Sequence, residues 1–155
     1  MGDPYIHTEP YDPKYREGVL AVAHEVHEAS IFNTHPLDET RLIAQIEDMS
    51  KFGSTYFVRV AVREGHVYGG MIGVLQTTFF SGQQFASDVG WWVRRTRQGT
   101  AAAGLLLGEF ERWAKWKGAD LVLLGQSSGI DVEKTVKLYQ HTGYTIVGAN
   151  GAKRL

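Results

Sequence analysis

Arg94, Arg95 and Arg97 stand just ahead of a run of small residues, Gly99-Thr100-Ala101-Ala102-Ala103-Gly104, that opens a long amphipathic helix. A strand-like stretch, Phe85–Arg94, leads into them. A strand followed by small residues and a helix N-terminus can hold an anionic phosphate. The first N–H groups of a helix have no partner within it, and the positive end of the helix dipole lies at the same place. The three arginines either add positive charge there or form a solvated strand end. Two common phosphate loops are excluded. Gly99 and Gly104 have the spacing of a Walker loop, but Leu105 and Leu106 follow where lysine and a hydroxyl are required. The pattern G-x-G-x-x-G fails because Thr100-Ala101 follows Gly99.

Other chemistry-bearing residues are fewer. His24-Glu25-Val26-His27-Glu28 is not H-E-x-x-H, since its histidines are three apart, and it reads as a solvated helix face. The tryptophans Trp91, Trp92, Trp113 and Trp116 follow strand or helix periodicity and read as core rather than as a base-stacking platform. With no cysteine, disulfides, thiolate metal sites and a cysteine nucleophile are excluded. The formal charge of −1 gives no field that favours nucleic acid or an anionic membrane. No run reaches the ~18 apolar residues of a membrane span. The opening Met1-Gly2-Asp3-Pro4-Tyr5 reads as neither a signal peptide nor a myristoylation site. These features suit a cytoplasmic protein with no metal.

The elements that must position these residues are legible in the periodicity. The 155 residues, 43% of them hydrophobic, suffice for one domain with a real core. Tyr5–Glu9 alternates as an edge strand. Apolar residues at Tyr15, Val19, Val22, Ala23, Val26 and Ala29 mark a helix from Asp12 or Pro13. Asp38 caps a second helix that carries Leu42, Ile43, Ile46 and Met49. Thr55–Arg63 and Val67–Phe80 form strands joined at Glu64-Gly65, with Gly69, Gly70 and Gly73 as bulges or close approaches. In the strand Phe85–Arg94, Val89, Trp91 and Val93 share one face, and Asp88, Gly90, Trp92 and Arg94 the other. The long helix stops at Gly118. Leu121–Leu124 reads as a strand covered on both faces. Val132, Val136 and Tyr139 mark a last helix ended by Gly143. Tyr144–Gly148 reads as a strand, and Asn150-Gly151 as a hairpin turn. Hairpins together with crossover helices imply an α/β chain, a mixed α+β sheet with helices on both faces.

Four stretches, in order, resemble the GCN5-related N-acetyltransferase (GNAT) superfamily. Gln98-Gly99-Thr100-Ala101-Ala102-Ala103 is similar to its acetyl-CoA loop: Gln or Arg, two residues, Gly, one residue, then Gly or Ala. Glu64–Gly73 is similar to its second hairpin. Trp113–Ala119 resembles the end of its central helix. Leu138-Tyr139-Gln140-His141-Thr142-Gly143-Tyr144 resembles its LYxxxGF segment. The resemblance covers roughly residues 5–155, and small phage-carried members look similar. Ala101 replaces the first loop glycine, and Asp131 and Val132 occupy the region where an asparagine is often found.

The resemblance implies a GNAT fold, a mostly antiparallel central sheet, and acetyl transfer from acetyl-CoA to an amine by direct attack in a ternary complex. Main-chain N–H groups over Gln98, Gly99, Thr100, Ala101, Ala102 and Ala103 would grip the diphosphate, aided by Arg94, Arg95 and Arg97. A main-chain N–H of Trp92, Val93 or Arg94 would polarise the thioester carbonyl. Tyr139 matches the acid that protonates the leaving thiolate; read by itself it is equally a core tyrosine. Asp88 is the best side-chain base for the amine, against a structural carboxylate or a water chain in its place. Ser127 and Ser128 could bond the pantetheine amides, or form a plain loop. Asn33 and His35 could line the acceptor pocket, or be surface loop residues. The acceptor is a small-molecule or protein amine, and a homodimer fits as well as a monomer. Two rival functions share the fold: a non-catalytic acyl-CoA sensor or interaction module, and a nucleobase-modifying enzyme.

Overall fold

The computed structural model describes residues 5–155. The stretch 1–4, read above for targeting signals, lies outside the described residues.

Five strands form one sheet in the order β1-β2-β3-β4-β5. They are β1 (His7–Pro10), β2 (Tyr56–Arg63), β3 (His66–Thr77), β4 (Gln84–Val93) and β5 (Val122–Leu123). The first four pair antiparallel, and β5 lies parallel to β4. The helices are α1 (Arg16–Ala29), α2 (Glu39–Ser50), α3 (Arg97–Trp116) and α4 (Val132–His141). A single 3-10 turn, Pro13–Tyr15, starts where the sequence places the first helix; Asp12 caps it by accepting the Lys14 N–H at 2.9 Å. Asp38 caps α2 through the Arg41 N–H at 2.9 Å, as its side chain predicts.

The period-two pattern of β2 divides the core. Val60 and Val62 face one side and join Val19 and Val22 of α1 and Ile46 of α2. Phe57 and Ala61 face the other and join Ala102, Leu106, Leu107, Phe110 and Ala114 of α3. Two glycines of β3 make room for rings. A methyl group at Gly73 would come within 2.0 Å of the Phe110 ring, and one at Gly70 within 2.8 Å of the Trp92 ring. Both sides of the sheet are thereby covered, and the mixed α/β architecture stands as expected.

Four local expectations are corrected. β5 has two residues rather than four, and Leu121 and Leu123 are 43% and 37% exposed, so it is not covered on both faces. Trp116, the last residue of α3, lies outside the core, 78% exposed. Tyr144–Gly148 is not a strand, and Asn150-Gly151 joins no hairpin. The reason is local. The Tyr144 N–H bonds Tyr139 O at 2.9 Å and its hydroxyl donates to Glu111 at 3.1 Å, which ties the start of the segment to α4 and α3. Asn150 then donates to Gln126 O at 2.8 Å instead of turning a hairpin.

Gly73→Ala should cost about 1–3 kcal/mol by overpacking against Phe110. Gly104 lies in mid-helix, and among the described residues nothing beyond its own helix backbone comes within 4 Å of the place a methyl group would take, so Gly104→Ala should gain up to about 1 kcal/mol. Urea unfolding of the two variants measures both; effects of the same sign would refute the packing argument.

Candidate active site

The site is built on β4, and its first part is the junction of β4 with α3. Thr96 is the N-cap of α3: its hydroxyl accepts the Gly99 N–H at 3.2 Å, and its carbonyl the Thr100 N–H at 3.1 Å. Residues 97–103 are therefore helical rather than an open loop. The N–H groups of Ala101, Ala102 and Ala103 donate along the helix, and Ala102 and Ala103 are buried. Only the N–H groups of Arg97 and Gln98 find no acceptor among the described residues. Of the amides of Gln98, Gly99, Thr100, Ala101, Ala102 and Ala103 expected to grip a diphosphate, that of Gln98 is left without an acceptor among the described residues, with that of Arg97 beside it. Gly99 has a different task. A methyl group there would come within 1.7 Å of the Arg94 carbonyl oxygen, so glycine lets the first helical turn rest on the end of the strand.

The arginines are unequal. The Arg94 guanidinium donates through Nε to Val67 O at 2.9 Å and lies 3.5 Å from Glu25 of α1. The Arg95 main-chain N–H donates to Glu25 at 2.7 Å, and its guanidinium to Asp131 at 3.4 Å. Arg97 forms no ion pair among the described residues. Asp131 is the N-cap residue of α4 and holds a left-handed φ of 43°. A groove of about 440 Å³ begins there, lined by Asp131, Val132, Glu133, Lys134 and Lys137. It adjoins Arg95 through the Arg95–Asp131 pair.

The second part lies farther back along β4. Ile72 pairs with Gly90 but Gly73 with Asp88, so Val89 is an extra residue, a β-bulge, and is 53% exposed. The bulge reverses the alternation. Asp88 shares its face with Ala86 before the bulge and with Trp91 after it, both on the α3 side of the sheet. This corrects the expectation that Asp88 lies opposite Trp91. The Trp91 and Tyr139 rings stack at 6.4 Å with 13° between planes, and Tyr144 tilts against Tyr139 at 6.1 Å. Beyond the paired residues Ser87 and Leu123 the ladder between β4 and β5 ends. There the Asp88 carboxylate bridges the two strands, accepting the Gly125 N–H at 2.9 Å.

Burial sets the acidities. Burial raises the Asp88 pKa, and hydrogen bonds from Gly125 and from its own main chain partly offset the rise. Tyr139 is 7% exposed, and its hydroxyl makes no hydrogen bond among the described residues. Burial first, and the Asp88 charge second, push its pKa up to about 12. Tyr144 is raised further, by burial and then by Glu111. The buried indole N–H groups of Trp91 and Trp92 have no partner among the described residues.

The remaining predicted residues bond locally. Ser128 ties its loop to the end of α1: its carbonyl accepts the Ile31 N–H at 2.8 Å, and its hydroxyl the Ile130 N–H at 3.3 Å. Ser127 is exposed. Asn33 donates to Glu28 O at 2.9 Å, and His35 Nδ1 lies 3.2 Å from the Thr34 hydroxyl. Among the described residues no group of three His, Cys, Asp or Glu is placed to hold a metal ion, and His24 instead meets Glu39 of α2 at 2.5 Å. No helix among them is long and apolar enough to cross a membrane. Sequence reading misses three contributors: the Thr96 cap, the Val89 bulge, and Glu25. Thr96 three residues before Gly99 is a cap signal. The bulge and the reach of Glu25 leave none.

No protein-family model matches the sequence, and no curated protein does. Solved structures do match. A GNAT family acetyltransferase from Staphylococcus aureus superposes with a TM-score of 0.67 at 13% identity, covering 97% of this chain and 98% of that one. Glucosamine-6-phosphate N-acetyltransferase from Arabidopsis thaliana gives 0.74 at 14% identity, with 97% and 98% covered. AAC(6')-Iy, in complex with the bisubstrate analogue CoA-S-monomethyl-acetylneamine, gives 0.73 at 15% identity, with 97% and 98% covered. With β4 leading into α3, and β5 parallel beside it, the chain has the fold of the GCN5-related N-acetyltransferases.

Proposed function

We propose that the protein transfers an acetyl group from acetyl-CoA to a primary amine, on a small molecule or a protein, by direct attack in a ternary complex. One observation carries this reading: Tyr139, a buried residue whose hydroxyl has no partner among the described residues, lies close enough to Asp88 to feel its charge, and the strand that bears Asp88 leads straight into a helix end with two free amides. The fold is that of acetyltransferases over nearly the whole chain, and one of these was solved with a CoA-linked analogue.

The free amides of Arg97 and Gln98, with the Arg97 charge, would hold the diphosphate of CoA. Beside it lie Arg94 and Arg95, each paired with a carboxylate, and the groove at the start of α4, where Lys134 and Lys137 stand with Asp131 and Glu133. From Arg94 back to Asp88 is five steps of paired strand plus the bulged Val89, about 17 Å. An extended ligand is needed to join the two parts, and the pantetheine arm is one. Ser127 and Ser128 would meet its amides, and Asn33 and His35 would stand on the acceptor side. A main-chain N–H of Trp92, Val93 or Arg94 would polarise the thioester carbonyl.

The amine nitrogen attacks that carbon, the C–S bond breaks, and the thiolate takes the Tyr139 proton. Burial keeps Tyr139 protonated up to about pH 12, so the acid is present throughout the physiological range. The same desolvation raises the proton affinity of a thiolate formed beside it. The amine's proton passes to Asp88, whose raised pKa makes it a stronger base than an exposed carboxylate. The lack of cysteine agrees with direct transfer rather than a cysteine-bound acyl intermediate.

Tyr139→Phe should lower kcat by about a hundredfold or more, with KM for acetyl-CoA nearly unchanged, in a thiol-release assay over a panel of amines. An equal kcat removes Tyr139 as the acid. CoA binding without thiol release from any amine would leave a binding domain only. Gln98→Glu, at an exposed position, should weaken CoA about tenfold by calorimetry; an unchanged affinity moves the diphosphate elsewhere. Asp88 yields a pH test. Its folded pKa is raised, so its contribution to stability is full below the ordinary carboxylate pKa near 4 and is lost as pH rises through the folded value. Asp88→Asn should therefore melt higher than the parent at pH 7, and the gap should close toward pH 4. A gap independent of pH contradicts the burial cost.

A further inference from the structure

The β4–α3 junction already holds an anion of its own. Glu25, projecting from α1, accepts the Arg95 main-chain N–H at 2.7 Å and lies 3.5 Å from the Arg94 guanidinium. The Arg95 N–H is two residues before that of Arg97, so at most about 7–8 Å of backbone separates them. The carboxylate thus lies within about a Debye length of the amides that reach no acceptor. It also takes up positive charge. Arg94 is shared between Glu25 and the Val67 carbonyl, and Arg95 is paired with Asp131. Of the three arginines beside the helix end, only Arg97 forms no ion pair among the described residues.

We propose that Glu25 is an internal counter-anion that fixes the junction and sets the affinity of the site for CoA below what its amides and arginines would give alone. The inference rests on the reading that the CoA diphosphate binds at the start of α3. Two effects of one carboxylate oppose each other. The hydrogen bond to Arg95 holds the chain where β4 hands over to α3. The negative charge repels a diphosphate and occupies the Arg94 guanidinium that would otherwise turn to it. The substitution Glu25→Gln keeps the first effect, since an amide oxygen still accepts the Arg95 N–H, and removes the second. A ligand held less tightly by its phosphates also leaves sooner, and product departure limits many enzyme cycles.

The experiment compares wild type, Glu25→Gln and Glu17→Gln by calorimetry with CoA and with pantetheine, which lacks phosphates. Glu17, in the first turn of α1, is about 12 Å of helix from Glu25, beyond a Debye length at about 0.1 M salt, and controls for net charge. Glu25→Gln should bind CoA about tenfold more tightly than wild type at that salt. That gain should shrink at about 0.5 M salt, where screening reaches only a few ångströms. Pantetheine binding, and CoA binding by Glu17→Gln, should match wild type. A residue with only a structural role would give the opposite sign or none. Wild type that binds CoA, with Glu25→Gln binding it equally or more weakly, overturns this inference alone. If neither protein binds CoA, the inference and the acetyl-CoA reading both fall.

Discussion

The first turn of α3 rests on the carbonyl of Arg94, with no space for even a methyl group at residue 99. That contact fixes where the helix begins relative to the end of β4, and the rest of the site follows. It leaves the N–H groups of Arg97 and Gln98 at the helix start without an acceptor among the described residues. It also sets the path along which Ala102, Leu106 and Phe110 descend over β2 and β3. Phe110 in turn occupies the space left open by Gly73. Two glycines thus place both ends of one contact line, one against backbone and one against a ring. Each supplies absent volume rather than conformational freedom.

The Val89 bulge does comparable work for the chemistry. One additional residue in β4 brings Asp88 and Trp91 to the same face, where α4 lays Tyr139 on the Trp91 ring. A regular strand would have put the carboxylate and Trp91 on opposite faces of the sheet. The bulge also falls where β4 and β5 cease to pair, so the Asp88 side chain replaces a missing ladder bond by reaching Gly125. A strand defect, a side-chain bridge and an aromatic stack are therefore one arrangement. Burial there raises both Asp88 and Tyr139 in pKa for the same reason, loss of water.

Much of this is legible in the sequence. The stripes of α1, α2 and α3, the alternation of β2 and the glycine stops at Gly118 and Gly143 all carry local signals, and those elements form where expected. Residues 97–103 are ambiguous because Gly, Thr and Ala suit a loop and a helix start alike; the Thr96 hydroxyl decides for the helix. The face of Asp88 is not legible, since Val89, Trp91 and Val93 alternate as a regular strand would. Tyr144 shows tertiary contacts prevailing over strand propensity: its hydrogen bonds to α3 and α4 tie down the start of a segment rich in β-formers. Glu25 lies seventy positions from its partner Arg95, and no local pattern records such a pairing.

The two borders of the sheet are protected unequally. β1 carries His7, Glu9 and Pro10, and charge and proline discourage an incoming strand. β5 has only Asp120 just before it, then Leu121-Val122-Leu123-Leu124, and among the described residues nothing pairs with its outer side. Its shortness is the main safeguard, because two residues make a poor template. The chain tied down by Tyr144 could have sealed that border. By committing it to the aromatic stack instead, the molecule gives up colloidal security at one margin for order around Tyr139.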